Sequence, residues 1–585
     1  MGTRVPGVLF CLAALAQGSG CGRAGSEDIS IAHMIDAGSD SDTESASETE
    51  SLPDDTGSCP DETSGACVRY VNWQAAPGSG CGTSWDSAFP TVQEGIDSAY
   101  AATQWVARCQ VWVAQGRYDV FVAGREDTIT LRPNVEVYGG FEGKETLLSE
   151  RDPAARATVL DGRGKGGVTN RVYHVVTGSD AALLDGFTVT GGKADGATPD
   201  DRGGGLLLHV TSPTVKGCRF VDNEAKQGGG VYMYESWPVL ETCSFVHNMA
   251  DEGGGLYMLN SSPKLNACTF EDNRAVTSGG GLHALQLYGV CGPTVEGSAF
   301  TANRSDGVGG GVASVGCGGS LTGTTFKGNL AGAEGGGMSA SAGPVKVESC
   351  VFEGNEAMNG GGVASAGEGL EIRSARLVRN EAVRSGGGLF NEDADTKVNT
   401  CVFENNRAGE EGGAARNVAD TSWFVSTVFT GNRAARGGAM SNGMDSRPSV
   451  FNDTFEGNVA SECGGAIYND MRAAPAITNC ILWDDEVKEI CNAPDARPVV
   501  TYSDVEGGYP GLQNLDAKPR FAAPGRTDDI WIPGDYNLKA KSPCIDTGDN
   551  TVVPLTDADG KPWADVPDAG IPGAFADIGA YEYKP

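Results

Sequence analysis

Gly253-Gly-Gly-Leu256-Tyr-Met-Leu-Asn-Ser-Ser-Pro263-Lys-Leu-Asn-Ala-Cys268-Thr-Phe270-Glu-Asp-Asn273-Arg-Ala275 is one unit of a sentence that this chain repeats. Apolar and variable residues alternate in two short runs, and a period of two specifies strands rather than helices. An apolar residue, two variable residues and an Asn recur at Phe220/Asn223, Phe245/Asn248, Phe270/Asn273, Phe300/Asn303, Phe326/Asn329, Phe352/Asn355, Leu377/Asn380, Phe403/Asn406, Phe429/Asn432 and Phe455/Asn458, mostly 25 or 26 residues apart. So short a repeat cannot bury a core alone; it must stack on its neighbours, one coil per repeat. The fold class expected is therefore all-β, a single-stranded parallel solenoid.

Equivalent residues of stacked coils lie about 4.8 Å apart and form ladders. Leu206, Val231, Leu256 and Leu282 after the glycines, and Cys218, Cys243 and Cys268 two residues before each Phe, are expected to face inward. The asparagines from Asn223 to Asn458, and the shorter column Asn391, Asn417, Asn442 and Asn469, are expected to hydrogen-bond up and down the stack, with Asn taking the left-handed conformation of the turn. Glycine runs supply tight turns. They lack the Lys-Ser/Thr of a phosphate-binding loop.

The chain has 585 residues and a net charge of −34, which excludes a basic nucleic-acid surface. Residues 1–20, with one Arg, an apolar stretch and small residues before Cys21, have the pattern of an export signal. Residues 21–66 are rich in Ser, Asp, Glu and Thr and are expected to act as an acidic tether. Seventeen cysteines suit an exported protein. Expected disulfides are Cys291/Cys317, one coil apart, and then Cys59/Cys67, Cys81/Cys109 and Cys463/Cys491; Cys218, Cys243 and Cys268 also fit simple packing in a ladder.

The segment Phe89-Pro-Thr-Val-Gln-Glu-Gly-Ile-Asp-Ser-Ala99, spaced as an amphipathic helix, and the following Cys109-Gln-Val-Trp-Val-Ala-Gln-Gly-Arg-Tyr118 resemble the opening of the pectin-lyase-like superfamily of right-handed parallel β-helices. The repeats and Gly464-Gly-Ala-Ile467 resemble polymorphic-outer-membrane-protein motifs. Asn479-Cys-Ile-Leu-Trp483, Tyr536-Asn-Leu-Lys-Ala-Lys-Ser-Pro-Cys-Ile-Asp-Thr-Gly548 and Asp577-Ile-Gly-Ala-Tyr-Glu-Tyr583 are similar to the choice-of-anchor Q ending. Cys21 resembles a bacterial lipoprotein cleavage site, with an ordinary secretion signal as the other reading. The resemblance implies a right-handed β-helix with an N-terminal helical cap and first coils over 67–156, repeats over 157–502 and a C-terminal cap over 503–585. It further implies an outer-membrane or cell-surface lipoprotein, or a secreted protein.

Two functional classes compete. A non-catalytic adhesion or carbohydrate-binding rod would use the outward aromatic column Tyr232, Tyr257 and His283, with Tyr234 and Trp237 beside it, because ring faces suit sugars and protein partners. A polysaccharide lyase or glycoside hydrolase would need a base and carboxylates, for which Arg416, Glu392, Asp420 and Asp445 are the candidates, with Arg416 as base. Asp484-Asp485 is expected to be a solvated turn. Asp557 and Asp559 give a Ca²⁺-like acidic loop without EF-hand spacing, and no other cofactor is expected. A carbohydrate or cell-surface partner, membrane contact only through a lipid at Cys21, and a monomer complete the expectations.

Overall fold

The computed structural model describes residues 67–78, 80–164, 170–367, 369–527, 531–566, 570 and 575–584. The expected signal, Cys21 and Cys59 lie outside them. Four parallel sheets of 16, 11, 14 and 15 strands build the solenoid, and each coil between Lys193 and Cys463 adds one strand to each. In one coil Leu256–Leu259, Lys264–Asn266, Thr269–Glu271 and Arg274–Ser278 follow in turn. Strands are this short because each ends where the chain must bend to stay on its own coil.

Register is kept by the core. Phe220 pairs with Phe245, Phe245 with Phe270, Phe270 with Phe300 and Phe300 with Phe326. Their rings stack at 4.4–5.2 Å between centroids. Each stacked pair adds about 0.5–1.5 kcal/mol to its burial. Beside them Asn248 donates through Nδ2 to Phe220 O at 2.8 Å and to Asn273 Oδ1 at 3.0 Å, and Asn273 Oδ1 also accepts the Asn248 backbone N–H. The pattern runs unbroken from Asn223 to Asn458. The left-handed residue is not the Asn, as expected, but the one before it: Asp222, His247, Asp272, Ala302 and Arg379 have φ of 52–55°. The Asn itself is thereby left free to aim its amide along the axis.

The ladder ends on an acid. Asp485 Oδ1 accepts the N–H and Nδ2 of Asn458 at 2.6 and 2.8 Å, so Asp485 is buried rather than a solvated turn. The second column runs from Asn391 through Asn417, Asn442 and Asn469 to Asn492. In each glycine run the first residue has positive φ (66° at Gly228, 62° at Gly253), and the last has no room: a Cβ on Gly255 would meet Gly281 O at 2.6 Å.

The coils begin before the repeats. Cys67–Val71, Cys109–Ala114 and Val135–Phe141 already belong to the longest sheet, and the helix Val92–Ala102 (α1) crosses between the first two, burying Val92, Ile96, Ala99 and Ala102 in the main core. Thr91 caps its N-terminus. The C-terminal segment docks along the flank of the last coils. Phe521, Tyr536, Leu538, Ile545 and Ile578 share a second core with Val428 and Ile481 of the solenoid. Trp531 Nε1 donates to Thr430 Oγ1 at 2.6 Å, and Ala580 N to Thr454 Oγ1 at 3.0 Å.

Disulfides join Cys291 to Cys317 and Cys463 to Cys491, each linking neighbouring coils. The third differs from expectation: Cys67 bonds Cys109, replacing the pairings Cys59/Cys67 and Cys81/Cys109, because these two residues are direct neighbours in parallel register. Cys81 is disulfide-bonded as well. No helix among the described residues is long and apolar enough to cross a membrane.

Candidate functional site

The aromatic column of the sequence reading divides into a buried and an exposed half. Tyr232, Tyr257 and His283 are 0%, 1% and 4% exposed. They do point out of the solenoid, but the strand before each glycine turn folds back against them. Gln227, Glu252 and Ser278 bridge from coil to coil there. The Ser278 hydroxyl hydrogen-bonds His283 Nδ1 at 2.5 Å, and the Arg202 guanidinium lies 5.2 Å from the Tyr232 ring centroid. Burial pushes the His283 pKa down to about 4, so its ring stays neutral at ordinary pH. These three side chains are a covered seam, unavailable to a ligand. Tyr257→Ala should accordingly cost about 3 kcal/mol of stability through the cavity it leaves; chemical denaturation should show the loss.

Two residues further along the same strands the chain emerges. His209 and Tyr234 are partners in register, with rings 5.0 Å apart, and Trp237 at the following bend is 52% exposed. A surface loop completes the strip. Tyr288 reaches back two coils and its hydroxyl hydrogen-bonds that of Tyr234 at 2.5 Å, flanked by exposed Leu287 and Val290. The loop is held firmly: Asn260 Oδ1 accepts the N–H groups of Leu287 and Tyr288 at 2.9 and 3.2 Å, Ser262 Oγ accepts Gly292 N at 3.0 Å, and the Cys291–Cys317 bond closes its base. Sequence reasoning missed Leu287, Tyr288 and Val290. The signal was present, because Phe270 and Phe300 are 30 residues apart where neighbouring steps are 25 or 26. The surplus is this loop.

The catalytic candidates do not assemble. Arg416 is half-buried in the same seam, paired with Glu411 at 2.6 Å and donating to Ser441 Oγ at 2.7 Å, while Arg436 holds the other oxygen of Glu411 at 2.6 Å. Burial does lower the Arg416 pKa, but its guanidinium is committed to these partners. Asp420 is 1% exposed and burial pushes its pKa up to about 6. Asp445 is exposed and forked to Arg472 at 2.6 and 2.8 Å, and Glu392 is exposed. Nor do the acidic residues of the C-terminal loop turn toward a common centre. Asp557 accepts the backbone N–H groups of Asp559, Lys561 and Glu582, and Asp559 pairs with Lys584 at 2.5 Å. Among the described residues no three His, Cys, Asp or Glu side chains are grouped as metal ligands. A cleft of about 820 Å³ beside the start of α1 is lined by Trp73, Gln93, Arg117 and Phe121, but Arg117 is spent on Asp119 and Asp161.

Residues 170–309 match the family described as the right handed beta helix region, and residues 454–470 match the Chlamydia polymorphic membrane protein repeat. The solenoid is thus a right-handed parallel β-helix, all-β as its repeat implied and of the hand its family resemblance implied. No curated protein is significantly similar to the chain. Similar solved structures include the A-module of the mannuronan C-5 epimerase AlgE6 of Azotobacter vinelandii, 13% identical over 69% of this chain and 94% of that one, with a TM-score of 0.31. PfbA, a surface adhesin of Streptococcus pneumoniae, is 10% identical over 66% and 91%, also at 0.31. The pectate lyase Pel9A is 11% identical over 89% and 97%, at 0.20.

Proposed function

We propose that this protein is a non-catalytic, surface-exposed or secreted rod that binds an extended carbohydrate chain along the strip His209, Tyr234 and Tyr288, with Trp237 at its edge. The supporting observation is the hydrogen-bonded, loop-pinned contact of Tyr288 with Tyr234, which gathers ring faces and hydroxyls from three of four successive coils into one fixed array. A preformed array loses little side-chain entropy on binding. Flat rings with polar edges suit sugar rings, whose faces are apolar and whose rims donate and accept hydrogen bonds. The cross-coil disulfides fit an oxidising compartment and thus export. Lipid attachment at Cys21 would tether the rod to a membrane surface.

Each stacking ring lost costs on the order of 1 kcal/mol, about fivefold in affinity. Tyr234→Ala combined with Trp237→Ala should therefore weaken binding to the best ligand of a glycan array by more than about tenfold. Both side chains are partly or largely exposed, so the melting temperature should hold. Normal binding by the double variant, or turnover of a polysaccharide by the unaltered protein, would overturn this reading.

A further inference from the structure

The column two residues before each Phe holds Cys218, Cys243, Cys268, Ser298, Thr324, Cys350, Ala375, Cys401, Thr427, Asp453 and Cys480 down the stack. Only the first three are cysteines on consecutive coils; each of the others is flanked by a rung that has no sulfur. Cys218, Cys243 and Cys268 are at most 1% exposed and are free thiols in this structure. Cys243 and Cys268 immediately precede the registered pair Ser244/Thr269, and Thr269 N donates to Cys243 O at 2.9 Å, so the two coils are tied at this rung. The Cys243 and Cys268 thiols donate to Val215 O and Leu240 O, carbonyls of the coil before each, at 3.4 and 3.5 Å.

Elsewhere the chain uses this geometry covalently. Cys67 and Cys109, direct neighbours in parallel register with Cα atoms 4.7 Å apart, are bonded, and so are Cys291 and Cys317 at 5.0 Å. Adjacent coils at about 4.8 Å lie within the range that a disulfide spans. We propose that Cys243 and Cys268 close a further cross-coil disulfide in the mature protein, leaving Cys218 as the free thiol of the column. The two thiols give up two protons and two electrons to the disulfide of an exported thiol oxidant, which becomes a dithiol, as for the other disulfides of the chain. Since neither sulfur is accessible once the coils have stacked, exchange belongs to folding. The bond would brace the coils beneath Tyr234 and Trp237, yet it stands whether or not that strip binds a glycan.

Peptide mapping of the exported full-length protein tests it without a variant. After blocking of free thiols in denaturant and trypsin digestion without reduction, Cys243 lies in peptide 227–264, Cys268 in 265–274 and Cys218 in 217–219. The expected result is the linked species 227–264 plus 265–274, with Cys218 alkylated, alongside the linked Cys291–Cys317 peptides as internal control. Both Cys243 and Cys268 alkylated while the control stays linked, or Cys243 linked to Cys218, overturns the proposal. In Cys268→Ser, Cys243 should become fully alkylatable; if it was already so in the unaltered protein, the bond does not exist.

Discussion

Asn329→Leu should destabilise the middle of the rod by about 5 kcal/mol, the largest loss expected of any single substitution in the repeats. Asn329 Oδ1 accepts both the backbone N–H and Nδ2 of Asn303, while its own Nδ2 donates to Phe300 O and to Asn355 Oδ1. Leu fills a similar volume but returns none of these four bonds. Buried donors and acceptors on both adjoining coils are then left without partners or water, at about 1–3 kcal/mol each. Because stability in a solenoid is a sum of nearest-neighbour terms, the damage should be local. Hydrogen exchange should speed most in coils containing 303–355 and much less near α1. Uniform protection across the variant would show that the ladder is dispensable.

That locality is also why the repeat was legible. A ladder needs one residue type at one position in every coil, so the physical demand is printed ten times, and Phe220 to Phe455 and Asn223 to Asn458 follow from it directly. Features that occur once were not repeated and so were not readable. Tyr232 and Tyr257 sit at an outward strand position, yet whether that position is wet depends on how sharply the preceding strand folds back over it, and alternation alone does not encode the angle. Asp485 follows the ladder's spacing in space but not its residue type. The pairing of Cys67 with Cys109 rests on these residues facing each other in register across α1, a contact set by the cap and not by any period. Of the candidate site, Tyr234 and Trp237 were found from type and position; Tyr288 was hidden in a loop whose only trace was a long step.

The protein should melt at a higher temperature at pH 5 than at pH 7.5, contrary to the common loss of stability on acidification. The cause is a set of buried carboxyls in the C-terminal third. Burial pushes Asp577 up to about 7, with the Asp546 and Asp557 carboxylates adding to the shift, and Glu456, which accepts Gly525 N at 3.0 Å beneath the docked segment, likewise reaches about 7. Burial also raises Asp485 and Glu489 at the end of the ladder, where the Asp485 backbone N–H donates to Glu489 Oε1 at 3.1 Å. Each raised carboxyl binds its proton more tightly folded than unfolded. Its penalty is absent below about pH 4, grows from pH 4 to 7 and is complete above. For Asp577 and Glu456 together this is on the order of 5 kcal/mol at neutral pH. Among the opposing groups are Asp306, Glu353, Asp445 and Asp559, whose carboxyls are held down by Arg274, Arg379, Arg472 and Lys584. They lose their contribution only as pH falls below about 4.5, and they lie near the surface, where such pairs are worth little. Partial relief of the −34 charge acts in the same direction as the buried acids. Calorimetry across pH 4.5–8 should therefore show the maximum near pH 5, and Glu456→Gln should flatten the slope between pH 5 and 7. A melting temperature that stays level or falls on going from pH 7.5 to 5 would mean that water reaches these carboxyls and that the C-terminal segment is docked more loosely than its hydrogen bonds to Thr430 and Thr454 indicate.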